Sequence, residues 1–431
     1  MCPIPARKRS PARAPLEYRG VVQLRPLRSR TMHDVIPRQC LWCRGLPITS
    51  PLHAAARRSE MSSKNRKWKR AVLSAGVLGG VTAVTLPAPA VADETEPAIE
   101  VVADELNNPR GLHVDRHGRI LVAESGKGKA GCEAGKQCVG ATGSVYRIDG
   151  RKQGRVVNGL PSLAAGVANP QQPISATGPV DVEPSAFGYV VLNGGGNTNE
   201  FRAGLGAGAK HLGTLRHSAG HTIADLVDYE TRMDPDWVLG EPPTPNEPSS
   251  VQSNAWRLAK TGKGGYLATD AAGNDLLGIS AFGSIRAEAV FPGNTVNGQL
   301  SEAVPGGVVE TRDGTVYVSD MGALKPGAAR IWKIAPGHRP VVFAEGLTAV
   351  SDLALDKSGD LVALTITGGY GPEGPKPGAI NVVDTGTGDV TPVETGDRLT
   401  MSSGVAVGPD DEIYVTNNSV GTSGEVLKIT R

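Results

Sequence analysis

Apolar and polar positions along the chain repeat as one unit: two short apolar strands joined by a tight polar turn. The first copy reads GLHVDRHGRILVAES at Gly111–Ser125. It returns five more times: GPVDVEPSAFGYVVLNG from Gly178, NAWRLAKTGKGGYLATD from Asn254, GGVVETRDGTVYVSD from Gly306, SDLALDKSGDLVALTIT from Ser351 and GVAVGPDDEIYVTNN from Gly404. The turns use Asp-Gly, Lys-Ser-Gly or Asp-Asp, residues that reverse a chain between antiparallel strands. Spacings of 45 to 76 residues suit propeller blades with loops of variable length.

Further strands follow in most repeats. Blade one continues GSVYRID and GRVVNGL, blade four ARIWKIA and RPVVFAEGL, and blade five GAINVVD and DVTPVETG, while blade three ends IRAEAVFPG. The last repeat stops at GEVLKITR, one strand short, and Ile99–Leu106 (IEVVADEL) matches PVVFAEGL of blade four nearly position for position. The pattern predicts an all-β fold, a six-bladed β-propeller closed by pairing of the N- and C-terminal strands in the last blade. The 56 glycines and 32 prolines fall between strand runs, as a turn-rich all-β chain requires.

Ahead of the ring, Met61 opens MSSKNRKWKR, followed by a 16-residue apolar run and by Ala90-Val91-Ala92. A basic start, a short apolar core and small residues at the cut make 61–92 a signal peptide cleaved between Ala92 and Asp93, leaving a propeller domain of 93–431. The run is short for a membrane span, holds three glycines and ends at Pro87, so no membrane anchor is expected in the mature form. No cysteine stands at the cut and the basic n-region lacks an adjacent Arg-Arg pair, so ordinary secretion to the extracellular space is expected. Residues 1–60 hold 12 basic and three acidic residues without a persistent period. They read as an upstream extension outside the native chain or as a disordered basic arm. Their Cys40-Leu-Trp-Cys43 lacks the second pair or βαβ setting of a metal or redox site.

The leader also hides the charge of the ring. Residues 93–431 carry 28 basic and 40 acidic residues, about −12, a surface that repels phosphates and excludes nucleic-acid binding as an expectation. Cys132 and Cys138 are the cysteines of this part, and an isolated pair in an exported chain predicts a disulfide closing a small loop.

Four segments, ADLVDYETRMDP at Ala224–Pro235, ATDAAGNDLL at Ala268–Leu277, PGAARIWKI at Pro326–Ile334 and YVTNNSVGTSGEVLKI at Tyr414–Ile429, resemble the ScyD/ScyE family of secreted propellers. That resemblance spans Ile99–Arg431 and implies kinship with NHL-repeat and gluconolactonase-type six-bladed rings. It implies no activity, because the family name comes from the gene cluster of a cyanobacterial sunscreen pigment. NAWRLAKTGKGG in blade three departs from the Asn-Pro-Tyr and Asp-Gly expected there, which puts a loop role for Asn254 in question.

Function on a propeller sits on the loops around the channel. Glu124, Asn193, Asp270, Asp320 and Asn417 directly follow the second strand of their blades, and Asn274 completes an oxygen-rich Asp270–Asp275 stretch. Two readings stand. The set could converge on the channel face and hold Ca²⁺ or another divalent cation, with Glu124, Asp270 and Asp320 as ligands; or each residue caps a turn of its own blade. The Asp270–Asp275 stretch lacks the alternating acids and final Glu of an EF-hand loop. His217, His221 and Asp225 lie beside a helical stretch, His221–Trp237, at zinc-like spacing, but no Glu follows the first His. Gly126–Gly131 matches GxGxxG but precedes a cysteine loop, and no GxSxG elbow occurs. His221–Trp237 with the proline-rich Glu241–Pro248 reads as a lid or as a segment packed on the rim. The chain therefore reads as a monomeric binding or scaffold protein for a small molecule, peptide or envelope component, with a metal-dependent, lactonase-like hydrolase as the alternative.

Overall fold

The second strand of several repeats is apolar at nearly every position because a neighbouring blade covers each of its faces. In the computed structural model Ile120–Glu124, Leu361–Thr365 and Ile413–Asn417 are buried throughout. The structure describes residues 97–169, 171–239 and 251–431. The segments 1–60 and 61–92, the cut at Ala92–Asp93, Cys40, Cys43 and Glu241–Pro248 lie outside the described residues.

Among the described residues six antiparallel sheets of four or five strands form the blades, and two further sheets are two-stranded hairpins. The innermost strands of the blades are Pro109–Val114, Pro179–Ser185, Ala255–Lys260, Pro305–Glu310, Val350–Leu355 and Gly404–Val407. Alternation along each second strand feeds two cores. Ile120 and Val122 pack with blade six, whereas Leu121 and Ala123 pack with blade two. Six such apolar clusters lie one in each gap between neighbouring blades. Stability is therefore spread around the ring.

Blade six draws its outer strand from the N-terminal side. Ala98–Leu106 pairs antiparallel with Gly424–Thr430, placing Ile99 opposite Ile429, Val101 opposite Leu427 and Leu106 opposite Gly424. Two register irregularities after Val101 break the strict alternation. Val101 consequently faces solvent, and Ala103 and Leu106, with partly buried Val102, enter the core between blades six and one.

Blade one carries a fifth short strand, Ala176–Thr177, next to Lys152–Ala165. Its Cys132 and Cys138 form the disulfide, with Cα atoms 6.0 Å apart. In blade two the helical reading of His221–Trp237 needs correction. Thr222–Asp225 is the outer strand, Leu226–Met233 is the helix, and Pro235–Leu239 is a 3-10 turn. Asp225 starts the helix by accepting the Asp228 N–H at 3.0 Å, and Asp234 ends it in the left-handed region at φ 42°. Leu226 and Tyr229 of this helix enter the core between blades two and three, so the described part of the insertion packs on the rim. No helix among the described residues is long and apolar enough to cross a membrane.

Candidate functional site

The residues that follow the second strands are all buried and are held within their own blades. Glu124 accepts from Asn107 N at 2.7 Å, Ser144 Oγ at 2.6 Å and both arms of Arg155, at 2.8 and 2.7 Å. Asp270 accepts from Ser253 Oγ and from the N–H groups of Asn254, Ala272 and Gly273. Asp320 takes Val304 N, Gly322 N and the Arg330 guanidinium. Asn417 accepts from Thr400 N and Ser402 Oγ and donates to Glu425, whereas Asn193 donates to Thr214 O. In four blades the same bond recurs, from the loop that enters the first strand to the side chain that ends the second. Glu124, Asp270 and Asp320 do not come together as a group of potential metal ligands.

The zinc-like trio also stays apart. His217 Nε2 lies 2.9 Å from Ser185 Oγ, Asp225 pairs with Arg202 at 2.9 Å, and His221 closes the hairpin turn by accepting the His217 N–H. The GxGxxG stretch folds back on blade one through Thr142, which bonds both Lys127 N and Gly128 O, and no helix follows it.

What fills the channel is a ring that motif reasoning missed. The third position of the six inner strands is Gly111, Asp181, Arg257, Gly307, Asp352 and, by alignment on the following apolar residue, Gly404. Register irregularities leave Gly111, Arg257 and Gly307 without a ladder partner, whereas Asp181 and Asp352 stand opposite Leu192 and Leu364 just past such a shift. A side chain at Gly111 would collide with Asp181, since its Cβ would stand 2.3 Å from Oδ1. Glycine thereby leaves space for the charged members. Arg257, 2% exposed, reaches across the channel. Its Nε lies 3.0 Å from Asp352 Oδ2, Nη1 donates to Val180 O and Trp256 O, and Nη2 donates to Ser403 O. One guanidinium thus ties blades two, three, five and six. Asp181 and Asp352 each accept an N–H from the next blade, Leu258 at 2.8 Å and Val405 at 2.9 Å.

Burial governs the ionisation of this ring. Desolvation pushes Asp181 up to about 7 against the pull of Arg257, and it raises Asp352 as well. Burial, helped by repulsion from Arg257, brings Arg110 down to about 10.

Beside the plug, a cavity of about 60 Å³ opens between blades one, two and three, lined by Arg110, Leu163, Ser175, Thr177, Asn254 and Trp256 among others. Arg110 is fixed through Nε to Ser125 Oγ at 3.4 Å and through Nη2 to Ala176 O at 2.6 Å. Its Nη1 donates to no group among the described residues. Trp256 is anchored by its indole N–H on Ser351 O at 2.9 Å, and Asn254 accepts from Gly195 N. The wall is thus a rigid indole and a positioned cationic donor, joined by small polar groups.

A second constellation lies on the blade-three side of the rim. Potential ligand atoms of Glu230, Asp234 and Asp236 lie within 4.8 Å of one another, the one such group among the described residues. Asp236 accepts from Asn274 Nδ2 at 3.2 Å. Burial and then the negative charge of Asp270, Asp236 and Asp234 push Glu230 up to about 9, and burial with Asp270, Glu230 and Asp236 raises Asp275 strongly.

The fold thus places the chain in the class of six-bladed β-propellers. Known structures with this shape include virginiamycin B lyase from Staphylococcus aureus, at 11% identity and a TM-score of 0.40, covering 78% of this chain and 100% of that one. Regucalcin, a calcium-binding protein of Agrobacterium tumefaciens, aligns at 12% identity and a TM-score of 0.44 over 78% of this chain and 95% of its own. The luciferin-regenerating enzyme aligns at 12% identity and a TM-score of 0.42, over 78% and 95%. No protein-family model and no curated protein matches the chain.

Proposed function

We propose that this chain is a secreted propeller of the ScyD/ScyE type that binds a small molecule or peptide end bearing a carboxylate, at the cavity beside the plugged channel. The observation that carries this reading is Arg110, held by two hydrogen bonds with a third guanidinium nitrogen left over on a wall shared with Trp256. A carboxylate on Arg gains a charge-assisted bond. A channel-metal hydrolase finds less support, since the oxygens of Glu124, Asp270 and Asp320 are engaged by N–H, hydroxyl and guanidinium donors. The Cys132–Cys138 bond suits an oxidising, extracellular setting.

The test is calorimetry of the folded protein against small carboxylic acids and carboxylate-ended peptides. A ligand found this way should lose about 10- to 100-fold in affinity with Arg110→Gln, the worth of one hydrogen bond to a charged group. Its amide analogue should weaken similarly. An affinity untouched by both changes would move the site elsewhere on the ring.

A further inference from the structure

We infer that Glu230, Asp234 and Asp236, with Asp275 beside them, form a calcium site that clamps the blade-two helix to the blade-three hairpin. The site is independent of the proposed ligand cavity and of the channel. Its three first-named residues come from one short stretch: Glu230 from the last turn of the helix, Asp234 from its left-handed end, Asp236 from the 3-10 turn that follows. Asp275 opens the third strand of blade three, across from them.

Clustered acids alone would be unremarkable, since most lie on solvated surfaces. Here two of them are shut away from water without a donor. Glu230 is 1% exposed and Asp275 fully buried, and neither carboxylate has a hydrogen-bond partner on either oxygen; Asp234 Oδ1 is unpartnered as well. A buried carboxylate in that condition is costly unless something positive meets it. No Lys or Arg does: the charged groups acting on Glu230 and Asp275 are all acidic. Asp270, by contrast, is saturated by four donors and is left out of the ligand set.

The geometry and chemistry select the ion. Oxygens on opposite sides of Ca²⁺, each at about 2.3–2.6 Å, stand roughly 5 Å apart, so a separation of up to 4.8 Å lets one ion touch all three carboxylates. Donors are oxygen throughout, with no His or Cys to favour zinc. Bidentate carboxylates and water bring the count to the six to eight that Ca²⁺ takes. Close approach on the hairpin side is permitted by Gly273, where a Cβ would come 3.1 Å from Glu230 Oε2.

The full secreted protein, stripped with EDTA and dialysed, is the sample. Adding 1 mM Ca²⁺ should raise its Tm by roughly 3 °C or more and give a saturable calorimetric isotherm near one ion per chain. Glu230→Gln should weaken Ca²⁺ binding at least about 10-fold. In EDTA the same variant should melt no lower than the wild type, because it replaces a buried carboxyl group that has no partner on either oxygen. Arg110→Gln should keep the Ca²⁺ response in full, which separates this inference from the ligand cavity. Two results would overturn it: a wild-type Tm and calorimetric baseline unmoved by Ca²⁺, or an isotherm that Glu230→Gln leaves unchanged.

Discussion

A chain that starts at Asn107 should be less stable than one that keeps Ala98–Leu106 by about 4–8 kcal/mol, and it should aggregate. The figure follows from burial: Leu106 is fully buried, Ala103 nearly so, and Ile99 and Val102 are packed against the cores on either side of blade six. Each large apolar side chain returned to water costs about 1.5–3 kcal/mol. The strand also covers Gly424–Thr430, whose Val426, Leu427 and Ile429 are wholly buried; without it they line an open edge. Asn108, just after the strand, closes the seam. Its side chain donates to Gly126 O and Ile174 O and accepts from Ala176 N and Gly421 N, joining the blade-six loop to blade one. Urea denaturation gives the stability difference, and light scattering gives the association state. Leu106→Ala alone should cost about 2–5 kcal/mol. A chain starting at Asn107 with the same midpoint and a monomeric profile would show that the terminal strand does not hold the ring.

How far the sequence speaks depends on whether a feature repeats. The six strand pairs were legible because each second strand is apolar along its length, the imprint of burial on two faces, and each turn carries Asp, Gly or Ser. The outer strand of blade two was not. Thr222–Asp225 is four residues long and runs directly into a helix whose period dominates the local pattern. Which side chains of the terminal strand point inward was hidden too, because the register shifts after Val101 and Ala103 leave no mark in composition. Among the candidate residues, Glu124, Asp270, Asp320 and Asn417 stand where the repeat put them, yet spacing could not say that their oxygens are taken by their own blades. The channel ring did leave a trace. PVDV, AWRL and VSDL each carry one charge inside an apolar strand at the same repeat position, opposite signs that invite pairing. Alignment of the repeats on the following Val or Leu would have exposed it. The rim carboxylates join Glu230 to Asp275 across 45 residues, a contact set by how the helix packs and by no local pattern.

Replacing Arg257 by Met should cost about 3–5 kcal/mol at pH 8, the penalty of leaving a buried partner charge uncompensated. Much less should be lost at pH 5. In the wild type Asp181 is raised to about 7 from an ordinary value of 3.8. The folded protein therefore holds a proton there that the unfolded chain has released, so its contribution is fully present below about pH 4 and is lost as pH rises toward 7. The interval corresponds to a stability change on the order of 4 kcal/mol. Without Arg257 both Asp181 and Asp352 lose the cation that pulls their values down, and their protonated forms persist to higher pH. The gap between wild type and Arg257→Met should accordingly widen from pH 5 to pH 8 in paired denaturation curves. Arg257→Lys should recover only part of it. A single ammonium cannot hold Asp352 while donating to carbonyls of Val180, Trp256 and Ser403, which the planar guanidinium does from one position. If Arg257→Met matches the wild type at pH 8, the blades are held by their apolar cores alone and the charged ring is dispensable to the fold.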